Sequence, residues 1–158
     1  MSLLISYRGN TSQIVPEKEN TPDHIQNALN KGFHVMVDIW LVGTNNLATG
    51  TTRARYPIDI NFIRENNIIC HAMTLDTMNF LLEERLHCFM WDREKYSLTN
   101  GGLIWSSVDT QVNSRTIMVL PERNIPQLSV LANLKCAGIC SSRIQEIKDE
   151  RDKFYDHK

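Results

Sequence analysis

Apolar residues are concentrated in seven short runs along the chain, separated by more polar segments. Most of these runs are continuous rather than alternating, which is the pattern of strands buried on both faces of a parallel sheet. We therefore predict strands at residues 3–7, 33–41, 68–71, 88–91, 103–105, 116–120 and 137–140.

Three segments between the predicted strands carry helix signals. Thr21 and Pro22 suit the N-cap and first position of a helix that Gly32 would end, and Thr74 suits the cap of another. A shorter helix is predicted from Asp59 to Asn66. The apolar faces of these helices are Ile25, Ala28 and Leu29; Leu75, Met78, Leu81 and Leu82; and Ile60 with Ile63. Strands alternating with helices predict an α/β fold with right-handed crossovers.

The second half of the chain is poorer in helix signals. The connections at 91–103 and 105–116 offer only about ten polar residues each, too few for a helical crossover, so they are predicted as loops or single turns. From residue 141 onward the chain is charged, and we predict a helix at 141–158 capped by Ser141 or Ser142. Its thin apolar stripe, Ile144, Ile147 and Phe154, fits a surface helix packed on the domain or a docking helix for a partner. The whole chain, 1–158, is interpreted as one domain.

Composition narrows the function classes. The 158 residues are 42% hydrophobic and 22% charged, with a formal net charge of −1, as in ordinary globular proteins. No basic run favours nucleic acid, and no segment has the roughly 20 apolar residues of a membrane span. We therefore expect neither a nucleic-acid partner nor a membrane span.

Four cysteines lie in apolar strand-like runs: Cys70, Cys88, Cys136 and Cys140. Buried reduced thiols are the simpler interpretation, with a metal site or disulfides as the alternatives. The thiol interpretation predicts an intracellular, reducing compartment such as the cytoplasm.

Several short motifs together resemble the glycerophosphodiester phosphodiesterase family. They are ISYRGN at 5–10, PEKENTP at 16–22, VMVDIW at 35–40, YPIDINFI at 56–63 and SLTNGGLIW at 97–105. The resemblance implies a TIM-type (β/α) barrel, two histidines that exchange a proton, and carboxylates that hold a divalent cation. A complete barrel takes about 250 residues. The shorter chain therefore implies a reduced or irregular barrel of parallel strands, with several crossover helices missing.

The positions that would carry the chemistry depart from the family pattern. Tyr7 stands in place of the first histidine, and Gly50-Thr51-Thr52 stands in place of the Gly-His-Asp loop. Met36 replaces one metal carboxylate. A phenol or an alcohol is a poor proton shuttle at neutral pH, and a thioether is a poor ligand for a hard cation. The resemblance thus implies a domain that has lost its catalytic groups.

Five polar residues remain as candidates for a site. Arg8 and Glu19 are predicted to bind substrate, Arg8 by holding a phosphate, with an Arg8–Glu19 ion pair as the alternative. Asp38, His71 and Glu122 are predicted metal ligands. The alternatives are a hydrogen-bonded Asp38 beside Arg8 or a backbone amide, and a hydrogen-bonded buried His71.

Three functions follow as hypotheses. The first is a pseudoenzyme that binds a protein or a phosphate-bearing small molecule. The second is an active metal-dependent phosphodiester hydrolase that uses Asp38, His71 and Glu122 around Mg²⁺ or Ca²⁺ and brings them within about 5 Å of one another. The third is a structural subunit of a larger assembly. No cofactor is expected in the first and third cases.

Overall fold

A computed structural model describes residues 2–107 and 111–157, and these form ten strands and five α-helices. The strands are β1 (Leu3–Tyr7), β2 (His34–Val42), β3 (Asn46–Thr49), β4 (Tyr56–Ile58), β5 (Ile68–Ala72), β6 (Cys88–Phe89), β7 (Tyr96–Leu98), β8 (Ile104–Ser106), β9 (Thr116–Val119) and β10 (Gly138–Ser141). The helices are α1 (Pro22–Asn30), α2 (Ile60–Glu65), α3 (Leu75–Glu83), α4 (Leu128–Ala132) and α5 (Ile144–Asp156).

The seven apolar runs all become parallel strands. They lie in the order β6-β5-β2-β1-β10-β9-β8, so the first and last strands of the chain are neighbours in the middle of the sheet. β2 is longer than β1, and its last four residues pair instead with β3, which continues into β4 as an antiparallel meander. β7 is antiparallel to β8. The α/β prediction is confirmed. The sheet is mixed because β3, β4 and β7, which were not predicted, pair in antiparallel fashion.

One interior cluster collects side chains from all seven parallel strands: Ile5, Met36, Ile69, Phe89, Trp105, Ile117, Val119, Leu120 and Cys140. Phe89 at one end of the parallel array stacks on Trp105 at the other, with ring centroids 4.3 Å apart. The sheet therefore curls until its ends touch through side chains. It does not close, because no ladder of backbone hydrogen bonds joins β6 to β8 in the described chain.

The outer face of the sheet is covered by helices. α1, α2 and α3 pack over β2 and β5, and α4 and α5 pack over β1 and β10. Alternation along β2 directs Val35, Val37 and Ile39 toward the helices. Met36 and Asp38 therefore share the opposite, interior face.

The helix caps follow the sequence signals in the first half of the chain. Thr21 accepts a hydrogen bond from the backbone of His24 and Thr74 from that of Thr77, as predicted. Asp59, the predicted start of the short helix, is its N-cap and accepts from the backbone of Asn61. The buried face of α3 is narrower than predicted. Leu75 is 74% exposed and Leu82 45% exposed, because only one side of this helix meets the sheet.

The C-terminal helix departs from its prediction. It begins at Ile144 rather than 141, the side chain of its N-cap residue Arg143 makes no capping hydrogen bond, and Ser141 ends β10. Ile144 and Ile147 are buried, but Phe154 is exposed. No helix in the described part of the chain is both long and apolar enough to cross a bilayer.

Candidate functional site

The polar cluster forms at neighbouring strands on the interior side of the sheet. Arg8 directly follows β1, Asp38 lies in β2 and His71 lies in β5. The parallel register places Asp38 opposite His71 and Tyr7 opposite Met36. Residues far apart in the sequence are thereby brought side by side.

Asp38 is the centre of this cluster and has no exposed surface. His71 Nδ1 donates to its Oδ1 at 2.8 Å, and Asn20 Nδ2 donates to its Oδ2 at 2.8 Å. Arg8 Nε lies 2.7 Å from Oδ2 as an ion pair, although its N–H is not aligned for a hydrogen bond. Both carboxylate oxygens are therefore engaged by protein groups.

Two left-handed residues shape the loop beside Asp38. Arg8 has φ 58° and Asn20 has φ 62°, a conformation that asparagine tolerates better than most residues. Asn20 N–H donates to the Arg8 carbonyl, and its Oδ1 accepts from Asp38 N–H at 3.0 Å. Thr49 Oγ1 donates to the Asn20 carbonyl at 2.6 Å. Asn20 thus fixes the loop to both β2 and β3.

Arg8 lies between two carboxylates. Its Nη1 is 3.6 Å from Glu19 Oε1, and Glu19 Oε2 accepts from Asn10 Nδ2 at 2.9 Å. The guanidinium also lies over the Tyr7 ring, 4.8 Å from its centroid. The predicted Arg8–Glu19 pair is present in the structure, and Asp38 lies beside Arg8 as an ion pair.

His71 has one engaged and one free ring nitrogen. Nδ1 bonds Asp38, whereas Nε2 makes no hydrogen bond to any residue that the structure describes. The ring stacks on Phe89 at 5.1 Å, and its side chain is 14% exposed. His71 forms one wall of a cavity of about 640 Å³ that also includes Trp91 and Tyr96.

The positions expected to carry acid/base or metal chemistry are unsuited to it. Burial raises the pKa of Tyr7 to about 12, against a smaller lowering effect of Arg8. Met36 is 3% exposed and packs in the interior cluster. The Thr51 hydroxyl accepts from Asn20 Nδ2 at 3.1 Å. None of the three presents a proton acceptor or a charged ligand at neutral pH.

The structure brings two of the three predicted metal ligands into contact. Asp38 and His71 meet, but Glu122 lies on the turn after β9, where its Oε1 accepts from the backbone N–H and the hydroxyl of Ser142 at 3.0 and 2.7 Å. Within residues 2–107 and 111–157, no group of three His, Cys, Asp or Glu side chains is arranged to hold a metal ion. The end of β10 therefore engages one oxygen of Glu122, whereas the other, Oε2, is buried and has no hydrogen-bond partner among the described residues.

Sequence reasoning missed the central role of Asn20. Its signal was the residue pattern Glu19-Asn20-Thr21, since an asparagine in a turn suggests a left-handed backbone and a side chain that bonds nearby amides. Which strands those amides belong to depended on the register of the sheet.

Comparison with protein-family models, curated proteins and solved structures gave no match to this chain.

Proposed function

We propose that this protein is a non-catalytic, phosphodiesterase-like domain, built on a reduced TIM-type barrel, that acts as a binding or structural subunit. The observation that carries the proposal is the state of Asp38. Its two oxygens accept from Asn20 and His71, and one of them also pairs with Arg8. The carboxylate that the resemblance assigns to a metal is thus occupied by protein side chains.

The electrostatics of the cluster support the same conclusion. Arg8 supplies one positive charge between the carboxylates of Asp38 and Glu19. This fixed cation neutralises part of the acidic charge that a divalent ion would otherwise neutralise. The two carboxylates in turn compensate most of the positive charge of Arg8, so a free phosphate is expected to bind weakly at this position.

The test is a hydrolysis assay with several glycerophosphodiesters in the presence of Mg²⁺ or Ca²⁺. We expect the wild-type protein, Asp38→Asn and Tyr7→Phe to give the same background rate. Circular dichroism of each variant establishes that it is folded. Turnover by the wild type that both folded variants lose would contradict a non-catalytic role.

A hydrolase with re-sited groups is the second candidate, because of the Asp38–His71 pair. A buried carboxylate that holds Nδ1 and leaves Nε2 free is the arrangement of a histidine general base. Here His71 Nε2 would accept a proton from a water molecule attacking the phosphodiester. If this candidate is correct, the same assay shows turnover that His71→Gln lowers by about 10²- to 10⁴-fold, whereas the peripheral His157→Gln leaves it unchanged.

A further inference from the structure

A cavity of about 640 Å³ lies between the end of β5 and the segment that joins β6 to β7. It borders the polar cluster at His71 but not at Arg8. Its lining residues divide into aromatic, acidic and small or thioether groups: His71, Trp91 and Tyr96; Asp92 and Glu94; and Ala72, Met73, Met90 and Ser97.

The charge of this lining is one-sided. Asp92 and Glu94 contribute to the wall, whereas the neighbouring Arg93 and Lys95 do not. Arg93 has a left-handed backbone, with φ 67°, and it separates the two acidic residues. The cavity therefore combines two carboxylates with aromatic rings and has no lysine or arginine in its lining.

Local hydrogen bonds position the aromatic wall. Trp91 Nε1 donates to the Glu94 carbonyl at 2.6 Å, and the Asp92 amide donates to Glu94 Oε2 at 2.9 Å. Ser97 Oγ donates to the Met90 carbonyl, which joins β7 to the end of the β6 segment. The indole is consequently held in place before any ligand arrives.

We propose that this cavity binds a small organic cation, an alkylated ammonium group. Such a cation gains from the negative faces of aromatic rings and from nearby carboxylates, and it is less strongly hydrated than a metal ion. Trp91 and Tyr96 supply the rings, and Asp92 supplies a carboxylate that no described residue pairs with. The inference rests on the binding role proposed above, but it involves neither Arg8 nor the absence of turnover.

The direct test is a titration of the ¹⁵N-labelled full chain with tetramethylammonium chloride, followed by NMR of the three indole N–H signals. We expect the signal of Trp91 to move in a saturable manner while those of Trp40 and the buried Trp105 stay in place. Sodium chloride at equal ionic strength and tert-butanol, a neutral molecule of similar size, should leave all three signals unmoved. Equal movement of the three signals, no movement, or equal movement with tert-butanol would overturn the proposal.

Variants add a second readout, from the shifts of backbone amides in the cavity wall. Trp91→Leu should weaken tetramethylammonium binding about fivefold to thirtyfold, whereas Trp91→Phe keeps an aromatic face and retains most of it. Tyr155→Leu removes an exposed aromatic ring on α5, which does not line the cavity, and should change nothing. If the leucine and phenylalanine variants bind equally well, the proposal is wrong. Hydrolytic activity is measured separately, so turnover by the wild type contradicts the non-catalytic role and leaves the binding result intact.

Discussion

Asp38 is a carboxylate with no exposed surface, so its charge depends wholly on the groups around it. Removing a charge from water is costly unless a partner and hydrogen-bond donors replace the lost hydration. Arg8, Asn20 and His71 supply these, and each belongs to a different segment of the chain. Asp38 therefore links β1, the following loop and β5 to β2.

We expect Asp38→Asn to lower the free energy of unfolding by about 3–5 kcal/mol, because it leaves Arg8 without its close partner and places an amide donor among donors. Urea denaturation measures the effect. The control is Asp152→Asn, which removes an exposed partner of Lys148 and should have little effect. Similar losses in the two variants would show that the Asp38 cluster does not stabilise the fold.

At the scale of elements, the position of α1 depends on two glycines with different surroundings. Gly9 (φ 92°) lies in the loop before α1, and Gly32 (φ 87°) follows it. A Cβ on Gly9 would lie 2.8 Å from His24 Cδ2 and 2.9 Å from the His24 backbone carbon, whereas a Cβ on Gly32 would meet nothing within 4 Å. Both positions favour glycine, but only Gly9 is also a close approach between the loop and the helix.

We expect Gly32→Ala to lower the free energy of unfolding by about 1 kcal/mol, because the Cβ of alanine is strained in the left-handed backbone conformation. Gly9→Ala should cost at least about 2 kcal/mol, since α1 must also shift away from the new methyl group. Denaturant unfolding of both variants checks this, with circular dichroism as the measure of helix content. Equal losses would mean that the loop and α1 separate without cost.

At the scale of the whole molecule, two half-buried histidines lie at the starts of β2 and β6, the strands on either side of β5. His34 begins β2, and His87 immediately precedes β6. Burial lowers the pKa of both, and the proximity of His34 lowers that of His87 further. His87 Nε2 also bonds Thr99 Oγ1 at 2.9 Å, which links this end of β6 to the turn before β8.

These shifts predict that the fold loses stability in mild acid. An unfolded histidine has a pKa near 6.5, and a lowered pKa means that the folded state binds fewer protons than the unfolded state below that pH. The contribution of these histidines to the free energy of unfolding is complete above about pH 6.5. It falls as the pH drops below that value and levels off below the folded-state pKa. Urea midpoints from pH 7.5 to 5 measure the slope. His34→Gln with His87→Gln should flatten it, and an unchanged slope would assign the loss to other groups.

Local sequence signals predicted a large part of the architecture. Continuous apolar runs predicted all seven parallel strands because strands buried on both faces carry little else. The caps of α1, α2 and α3 were predictable because a cap is a contact within a few residues. The strands β3, β4 and β7 were missed, since they are short, more polar and formed by antiparallel pairing with β2, β3 and β8, respectively.

The candidate site was predictable in its residue types and less so in its partners. The family resemblance and the position of polar residues in or directly after strand-like runs identified Arg8, Asp38 and His71, and the structure brings these together. Glu122 carried the same kind of signal, yet the structure pairs it with Ser142. Equivalent local signals have different outcomes because the neighbour of each side chain is set by pairing between distant strands.

The sequence alone determined the seven parallel strands and the helices α1, α2 and α3, because hydrophobic burial and capping act over a few residues. The tertiary structure alone decided that Asp38 lies opposite His71, that Arg8 is held between two carboxylates, and that a cavity opens beside Trp91. Each of these depends on strand register, which is fixed only when long-range contacts bury the interior face of the curled sheet.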